Sequence, residues 1–439
     1  MVPEKRTGGD GSGAVSVPAV PEPAEKRRGT FLKKLKIVFF PIVMIAALLI
    51  GKETILEAPE MPENPVLYRE AEYLLESPKN VIIRTKAEKV LDSMTLEEKI
   101  GQMFVIPPEA LDTEYRGTRY NGKKVKGTVV MSDTLRDRIR YYTPGGFILF
   151  SYNIIDPDQT TELLKEMQAE SKIPLLIAVD EEGGLVARIS GKESFGIPDL
   201  PDADEVTDET EAYNRGAYIG AYMMQYGFNC NLAPVADVNS NPSNRVIGSR
   251  AFGKDPTIVG GLVASEIDGL KHSGVISTAK HFPGHGDTSG DTHHSTVYVT
   301  KNWNELLEAE IVPFRMAMDA EVDMIMVAHI SAEKVTTDGY PASLSREMIT
   351  GKLRNELGFE GVVITDSLEM GAITGQYTSA EAAILAVEAG NDIILMPEDY
   401  VEAHNGLLAA VQTGKISEER INESVLRILT MKDRHGLLK

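Results

Sequence analysis

The chain has 439 residues, of which 42% are hydrophobic and 6% aromatic, and its formal net charge is −20 at pH 7. This apolar content can bury a large core, which excludes a disordered chain and a collagen-like fibre, and Cys230 is the only cysteine, which excludes a disulfide-stapled domain. The acidic balance argues against a nucleic-acid-binding protein, because a surface that contacts phosphates is basic.

The N-terminal segment differs from the rest of the chain in charge and hydropathy. Residues 1–36 are rich in Gly and Pro and then basic, with eight Lys or Arg residues, and the next 14 residues are uninterruptedly apolar. As a helix those 14 residues span about 21 Å, less than a bilayer core of about 30 Å, so flanking lysines must extend the span. We predict a cytoplasmic tail over 1–36, a transmembrane signal-anchor over 37–51, a Pro-rich tether over 52–66 and a catalytic domain over 67–439.

This arrangement predicts a single-pass cell-membrane protein with its catalytic domain outside the cell, since the basic flank stays on the cytoplasmic side. A cleaved signal peptide is the main alternative and would make the protein secreted, although the segment after the apolar run offers no convincing cleavage site. A buried or interfacial helix is a third interpretation.

Apolar runs alternate with polar, helix-period segments along the rest of the chain, which is typical of buried strands connected by helices. The runs cover residues 102–107, 145–150, 174–180, 228–237, 275–282, 322–330, 361–367 and 391–397. The intervening segments, among them 156–172, 255–274 and 343–359, begin at Asp or Ser residues that suit helix caps.

Eight such units, without signals for antiparallel hairpins, predict an α/β fold in the form of a (β/α)8 TIM-type barrel with a single catalytic domain. An open doubly wound sheet is the alternative. It usually carries a Gly-rich dinucleotide loop after its first strand, and none follows the run at 102–107, so no nucleotide cofactor is expected.

Polar residues fall at or just beyond the carboxyl ends of five predicted strands. In a β/α barrel these ends converge on one mouth, where the functional site is built. Any one of these polar residues could be a helix cap or a hydrogen-bonded core group, but this does not explain why polar residues follow all five strands. The residues are Asp180, Asp237, Lys280 with His281, His329 and Asp366.

The loop over 279–296 holds four histidines and two aspartates among residues that favour a loop, and it allows two chemistries. In an acid/base interpretation Asp291 orients the imidazole of His293 and stabilises its protonated form. A structural interpretation, in which Asp/His hydrogen bonds staple the loop, also remains open. A metal interpretation requires a zinc site, although the loop lacks a familiar ligand spacing, and its ligands would be His285, Asp287, Asp291, His293 and His294.

Asp366 ends an apolar strand, where a carboxylate costs desolvation free energy unless the protein uses or satisfies it. An ionised carboxylate that faces a proton donor across a glycosidic bond is the arrangement of a retaining glycosidase. We therefore consider Asp366 a candidate nucleophile, with a histidine in place of the usual second carboxylate.

Four segments in this order, VDEEGGLVARIS, RVIGSRAFGKDP, AKHFPGHGDTSGDTHHS and GVVITDSLEM, closely resemble the β-N-acetylglucosaminidase (NagZ-like) branch of the family 3 glycoside hydrolases. The resemblance covers roughly residues 91–435. It implies a TIM barrel without a metal or other cofactor, and a two-step retaining mechanism on glycans or muropeptides that contain N-acetylglucosamine. We accordingly expect an exo-acting β-N-acetylhexosaminidase that removes the terminal sugar from peptidoglycan-type glycans.

The resemblance also implies a role for individual residues. Asp366 would form the glycosyl-enzyme intermediate, and His293, held by Asp291, would act as general acid and then as general base. The side chains that bind the terminal sugar would be Asp180, Arg188, Arg250, Lys280 and His281.

Three features leave room for other interpretations. A neutral imidazole beside the intermediate repels an anionic acceptor less than a carboxylate does, so a β-glycoside phosphorylase is one alternative, and a catalytically silent surface sugar-binding protein is another. A polar insertion over 108–142 could be a lid, an aglycone contact or a solvated excursion. Residues 294–299 depart from the leucine-proline ending expected after the Asp-x-His pair. We expect a monomer in which every catalytic group comes from the barrel itself.

Overall fold

The computed structural model describes residues 84–116, 118–288, 292 and 297–438. The predicted tail, signal-anchor and tether lie outside these residues, as do Asp291, His293 and His294. Within the described part of the chain, no helix is both long enough and apolar enough to cross a bilayer.

Parallel strands form the centre of the molecule, and each of the eight predicted runs contains one of them in the described residues. The strands are β1 (Phe104–Ile106), β4 (Gly146–Ile148), β5 (Leu176–Val179), β6 (Cys230–Asn231), β7 (Thr278–Phe282), β9 (Met324–Val327), β11 (Val362–Thr365) and β12 (Ile394–Leu395). Short additional strands are β2 (Arg119–Tyr120), β3 (Lys123–Lys124), β8 (Val297–Tyr298) and β10 (Ile330–Ser331).

The parallel pairings connect these strands in chain order. One sheet has the order β12-β1-β4-β5-β6 and another has the order β11-β9-β7. A parallel bridge joins Cys230 of β6 to Ile276, two residues before β7, and another joins Ile364 of β11 to Ile393, immediately before β12. The series of pairings therefore returns to the strand from which it began.

Helices connect the strands, and several begin where the sequence predicted a cap. Asp156 caps the helix at Pro157–Glu170 and Asp255 caps the one at Pro256–His272. The α-helices are α1 (Lys86–Asp92), α2 (Leu96–Gln102), α3 (Asp133–Tyr142), α4 (Pro157–Glu170), α5 (Glu209–Gln225), α6 (Pro256–His272), α7 (Trp303–Glu308), α8 (Ile311–Asp319), α9 (Gly371–Thr374), α10 (Ser379–Ala389), α11 (Tyr400–Gln412) and α12 (Glu418–Arg434).

The segment 343–359, predicted as a helix, differs from the other helices in its hydrogen bonding, because Glu347–Glu356 forms a π-helix. The buried side of this helix carries Met348, Ile349 and Leu353.

The core lies on both sides of the strands. Every residue of β1, β4, β5, β9 and β11 is buried, which explains why these strands read as continuous apolar runs rather than as alternating ones. The C-terminal helix α12 packs against α1 and α2, so the two ends of the described body are joined.

The insertion over 108–142 contains an antiparallel hairpin, which corrects the expectation of a chain without hairpins. Tyr120 pairs with Lys123 across a turn in which Asn121 and Gly122 have φ angles of 49° and 76°. Asn-Gly is the usual sequence of a two-residue hairpin turn, because both positions require positive φ. The signal was therefore present in the sequence and was missed.

Candidate active site

A cavity of about 490 Å³ lies at the carboxyl ends of the parallel strands. It brings together side chains that follow different strands, as the sequence predicted. Six residues that the sequence analysis assigns to the site line this cavity, and the lining also includes Glu182 and His285. The six are Asp180, Arg188, Arg250, Lys280, His281 and Asp366.

Four charged groups are joined on one wall of this cavity. The Nζ atom of Lys280 lies 2.6 Å from Asp180 Oδ1 and 2.7 Å from Glu182 Oε1. Arg250 donates through Nε and an Nη atom to the two oxygens of Glu182, each at 2.8 Å. Two carboxylates thus balance two cations, which is how largely buried charged groups are usually stabilised.

This pairing keeps the charges in place. Burial lowers the pKa of Lys280, but the carboxylates of Asp180 and Glu182 outweigh it, and the pKa lies above its ordinary value. Burial raises the pKa of Glu182, and the neighbouring Lys280 and Arg250 reverse this effect and hold that pKa well below its usual range. The wall therefore presents fixed, ionised donors and acceptors to a ligand.

His281 is held on the cavity surface by Asp237, which is completely buried. The Nδ1 atom of His281 lies 2.7 Å from Asp237 Oδ2, and Asp237 Oδ1 accepts a hydrogen bond from the backbone N–H of His285 at 2.6 Å. Burial raises the pKa of Asp237, but the His281 and His285 contacts more than compensate, so that the pKa is lowered. Asp237 therefore orients His281 toward the cavity.

Asp366 lies at the end of β11. Its Oδ1 accepts a hydrogen bond from the backbone N–H of Ser367 at 2.8 Å. Burial raises the pKa of this carboxyl, but the charges of His281 and His329 and the Ser367 N–H outweigh burial, so the net pKa lies below its ordinary value. His329 is itself fixed between Ser343 Oγ and the carbonyl oxygen of Ser367. Asp366 is therefore ionised at neutral pH.

Arg188 occupies the loop after β5 and lines the cavity. Its Nε is buried and has no hydrogen-bond partner among the described residues, so the guanidinium retains a donor for a ligand. The carboxylate of Glu181 fixes this loop by accepting the backbone N–H groups of Arg188, Ile189 and Ser190 at 2.6 to 2.9 Å.

The predicted acid/base pair, Asp291 and His293, lies outside the described residues. Thr292 between them is described: it is buried and lines the cavity, and its carbonyl oxygen accepts a hydrogen bond from the backbone N–H of Ala372.

Two of the five residues considered as zinc ligands, His285 and Asp287, lie among the described residues. No group of three or more His, Cys, Asp or Glu side chains is arranged around a common point within the part of the chain that the structure describes. Of the ligands considered, His285 contacts Thr288 Oγ1 through Nδ1, and Asp287 contacts Lys301 and Ser240.

Sequence reasoning missed Glu182, Glu181 and the orienting role of Asp237. The segment VDEEGG contains three acids in succession at a strand end, and only the first of them was assigned a role. A strand alternates its side chains between two faces, so Asp180 and Glu182 were the pair to expect in one cavity.

Comparison with known proteins is consistent with this site. The family described as "Glycosyl hydrolase family 3 N terminal domain" matches residues 95–431. A β-hexosaminidase from Nitrosomonas eutropha is 32% identical over 314 residues, 69% of this chain and 88% of the relative. The chain belongs to glycoside hydrolase family 3, and the resemblance noted from its four motifs is confirmed.

Solved structures support the same assignment. A family 3 β-N-acetylglucosaminidase from Paenibacillus sp. str. FPU-7 is 38% identical with a TM-score of 0.71, over 79% of this chain and 63% of that protein. The α/β fold of the family is therefore confirmed. β-Hexosaminidase A from Pseudoalteromonas piscicida is 34% identical over 77% of this chain, which spans 61% of that relative's length.

Proposed function

We propose that this protein is an exo-acting, retaining β-N-acetylglucosaminidase. The observation that carries the proposal is the cavity itself, in which an ionised Asp366 shares one space with the charged wall formed by Asp180, Lys280, Glu182 and Arg250. The names of the relatives support the choice of an N-acetylated hexose as the terminal sugar.

We propose a closed (β/α)8 barrel as the scaffold. The parallel pairings that return to their first strand, and the burial of whole strands on both faces, support this architecture. It would bring Asp180, which follows β5, and Asp366, which follows β11, to one mouth. A crystal structure with an open sheet would contradict it.

In the proposed reaction, an oxygen of Asp366 attacks the anomeric carbon of the terminal sugar and forms an ester bond with it. The bond from that carbon to the glycosidic oxygen breaks, and protonated His293 donates its proton to the departing oxygen. A water molecule then attacks the same carbon, His293 accepts its proton, and Asp366 leaves as the carboxylate. Asp291 would orient His293 throughout.

The terminal sugar would bind on the charged wall. Asp180 is suited to accept hydrogen bonds from vicinal hydroxyls, and Lys280, Arg188, Arg250 and His281 are suited to donate to hydroxyl and N-acetyl oxygens. These positions are those that the family resemblance assigns to sugar binding.

The full-length chain, assayed with an aryl N-acetyl-β-glucosaminide, tests the proposal. We expect the β-anomer to appear first by NMR, and Asp366→Ala to lower kcat by more than about a thousandfold. Asp158→Ala, an exposed carboxylate on α4, is the matched control and should leave turnover unchanged. Release of the α-anomer, or full activity in Asp366→Ala, would exclude this mechanism.

The same assay distinguishes the alternatives. A sugar phosphate that forms only when phosphate is added would identify a phosphorylase. If the unmodified protein binds the sugar but does not turn it over, it is a sugar-binding protein and not an enzyme.

We further propose that the natural substrates are peptidoglycan-type glycans or muropeptides, and that the protein acts as a monomer held at the outer face of the cell membrane by residues 37–51. The basic residues before this apolar run support that orientation. We expect the protein to sediment with membranes. Detergent should release it from them, and high salt should not. Recovery in the culture medium would support cleavage of the segment, and light scattering tests the monomer.

A further inference from the structure

Two aromatic side chains that follow β4 stack beside the cavity. Phe150 lines the cavity, whereas Tyr152 is 37% exposed. Their ring centroids are 5.5 Å apart and the ring planes differ by 15°, which is an offset parallel arrangement. Phe150 and Tyr152, called here the aromatic wall, therefore form a stacked pair in which Phe150 faces the cavity and Tyr152 reaches solvent.

The insertion over 108–142 packs directly on this wall. A Cβ atom on Gly127 would come within 2.4 Å of Tyr152 Cδ2 and 2.5 Å of Glu109 Oε1, so the insertion backbone approaches the ring as closely as a glycine permits. Glu109 Oε1 accepts hydrogen bonds from the backbone N–H of Thr128 at 2.5 Å and from Asn153 Nδ2 at 2.7 Å. The insertion thus fixes the segment that carries Tyr152.

Two carboxylates line the same cavity as Phe150. Glu369 and Glu398 are exposed and line the cavity. Burial and the charges of Glu109 and Glu369 raise the pKa of Tyr152, which is consistent with a phenol near Glu369. A rim that combines an aromatic surface with oxygen acceptors suits a pyranose ring, whose C–H groups contact aromatic rings and whose hydroxyls donate hydrogen bonds.

We infer that the aromatic wall binds the second sugar ring of the substrate, the one that departs as the leaving group, and that the 108–142 insertion serves to hold it in place. This inference rests on the proposed function: with the terminal sugar between Asp180 and Asp366, the glycosidic oxygen and the next ring must extend toward the rim. Tyr152 is thereby a determinant of specificity for the leaving group.

Two substrates separate this role from general activity: N,N′-diacetylchitobiose, which has a second sugar, and N-acetyl-β-glucosaminyl fluoride, which has none. We expect Tyr152→Ala to lower kcat/KM for the disaccharide about tenfold more than for the fluoride, and Tyr152→Phe to restore most of the loss. Tyr141→Ala is the control, because Tyr141 is a 77% exposed tyrosine at the end of the same insertion. It should leave the ratio of the two rates unchanged.

An equal effect of Tyr152→Ala on both substrates, no effect on either, or the same selective loss in Tyr141→Ala would overturn the inference. An unmodified protein that hydrolyses the fluoride but not the disaccharide would also overturn it. Failure of the unmodified protein to release fluoride would instead contradict the proposed function, so the two failures are distinguishable.

Discussion

Glu182 is the residue on which the charged wall depends. Its side chain is only 6% exposed, and among the described residues it alone pairs with both cations, with Lys280 through one oxygen and with Arg250 through two. Asp180 and Glu182 together neutralise Lys280 and Arg250, so removing one acid leaves a net positive charge in a largely buried cluster. Loss of one partner of a buried pair is costly because the remaining charge is desolvated without compensation.

We therefore predict that Glu182→Gln lowers the free energy of unfolding by about 3 kcal/mol and raises KM for an N-acetyl-β-glucosaminide, because Lys280 and Arg250 lose their common anchor. Urea unfolding and initial rates measure the two effects. Glu162→Gln removes an exposed acid paired with Lys165 on α4 and should change the free energy of unfolding by less than about 0.5 kcal/mol. Equal effects of the two substitutions would contradict the assigned role of Glu182.

The sequence was informative about which residues meet at the site and much less about how they pair. Asp180, Lys280, His281 and Asp366 could be predicted because strand ends in such a fold converge on one mouth. That Glu182 bridges Lys280 and Arg250 depends on the φ and ψ angles of the loop after β5 and on side-chain rotamers. Neither is encoded in a residue pattern.

At the scale of elements, the contact between α5 and α6 depends on glycines. A Cβ on Gly269 would come within 2.2 Å of the Tyr213 carbonyl oxygen, and one on Gly216 within 2.2 Å of the Glu266 carbonyl oxygen. The clashing atoms belong to the backbone, so no side-chain rotation relieves them. The pairing matters for the site because Arg215 on α5 lies 3.3 Å from Glu266 on α6 and donates to the carbonyl oxygen of Glu182.

We predict that Gly269→Ala separates the two helices and lowers the free energy of unfolding by about 1 to 3 kcal/mol. Gly351→Ala in the π-helix is the matched control, because a Cβ atom at Gly351 would have its nearest neighbour, the carbonyl oxygen of Arg346, at 3.9 Å. There the substitution should stabilise the protein by about 0.5 to 1 kcal/mol through the reduced entropy of the unfolded chain. Thermal or urea unfolding of both variants measures the difference, and destabilisation of equal size would refute the close-approach argument.

Elements were predictable in kind but not in extent. Buried parallel strands gave apolar runs of six residues or more, while the hydrogen-bonded strands are as short as Cys230–Asn231 and Ile394–Leu395. Burial continues past the point at which hydrogen bonding between neighbouring strands ends, and apolarity reports burial only. The hairpin in the insertion escaped because its strands are two residues long and polar, so only the Asn-Gly turn could have signalled it.

The body as a whole is joined at the ends of the described chain by a buried lysine. Lys432 on α12 is 0% exposed, and its Nζ donates to Gln102 Oε1 at 2.8 Å and to the Gly145 carbonyl oxygen at 3.0 Å. The two acceptors precede β1 and β4, so the last helix is tied to the first strands. Both acceptors are neutral, and the burial of an ammonium group beside neutral oxygens lowers the pKa of Lys432 to about 7.

This predicts a stability that rises with pH. Between about pH 7 and 10 the unfolded chain keeps a proton on Lys432 that the folded protein has released, so the free energy of unfolding should increase by up to about 1.4 kcal/mol per pH unit. Below about pH 7 both states are protonated and this contribution is constant. We expect urea unfolding at about pH 6, 7.5 and 9 to show that the free energy of unfolding of the unmodified protein, minus that of Lys432→Met, rises with pH. The same comparison with Lys165→Met, an exposed lysine, should give a difference that does not change with pH. Parallel curves for Lys432→Met would mean that the ammonium group keeps its ordinary pKa in the folded protein.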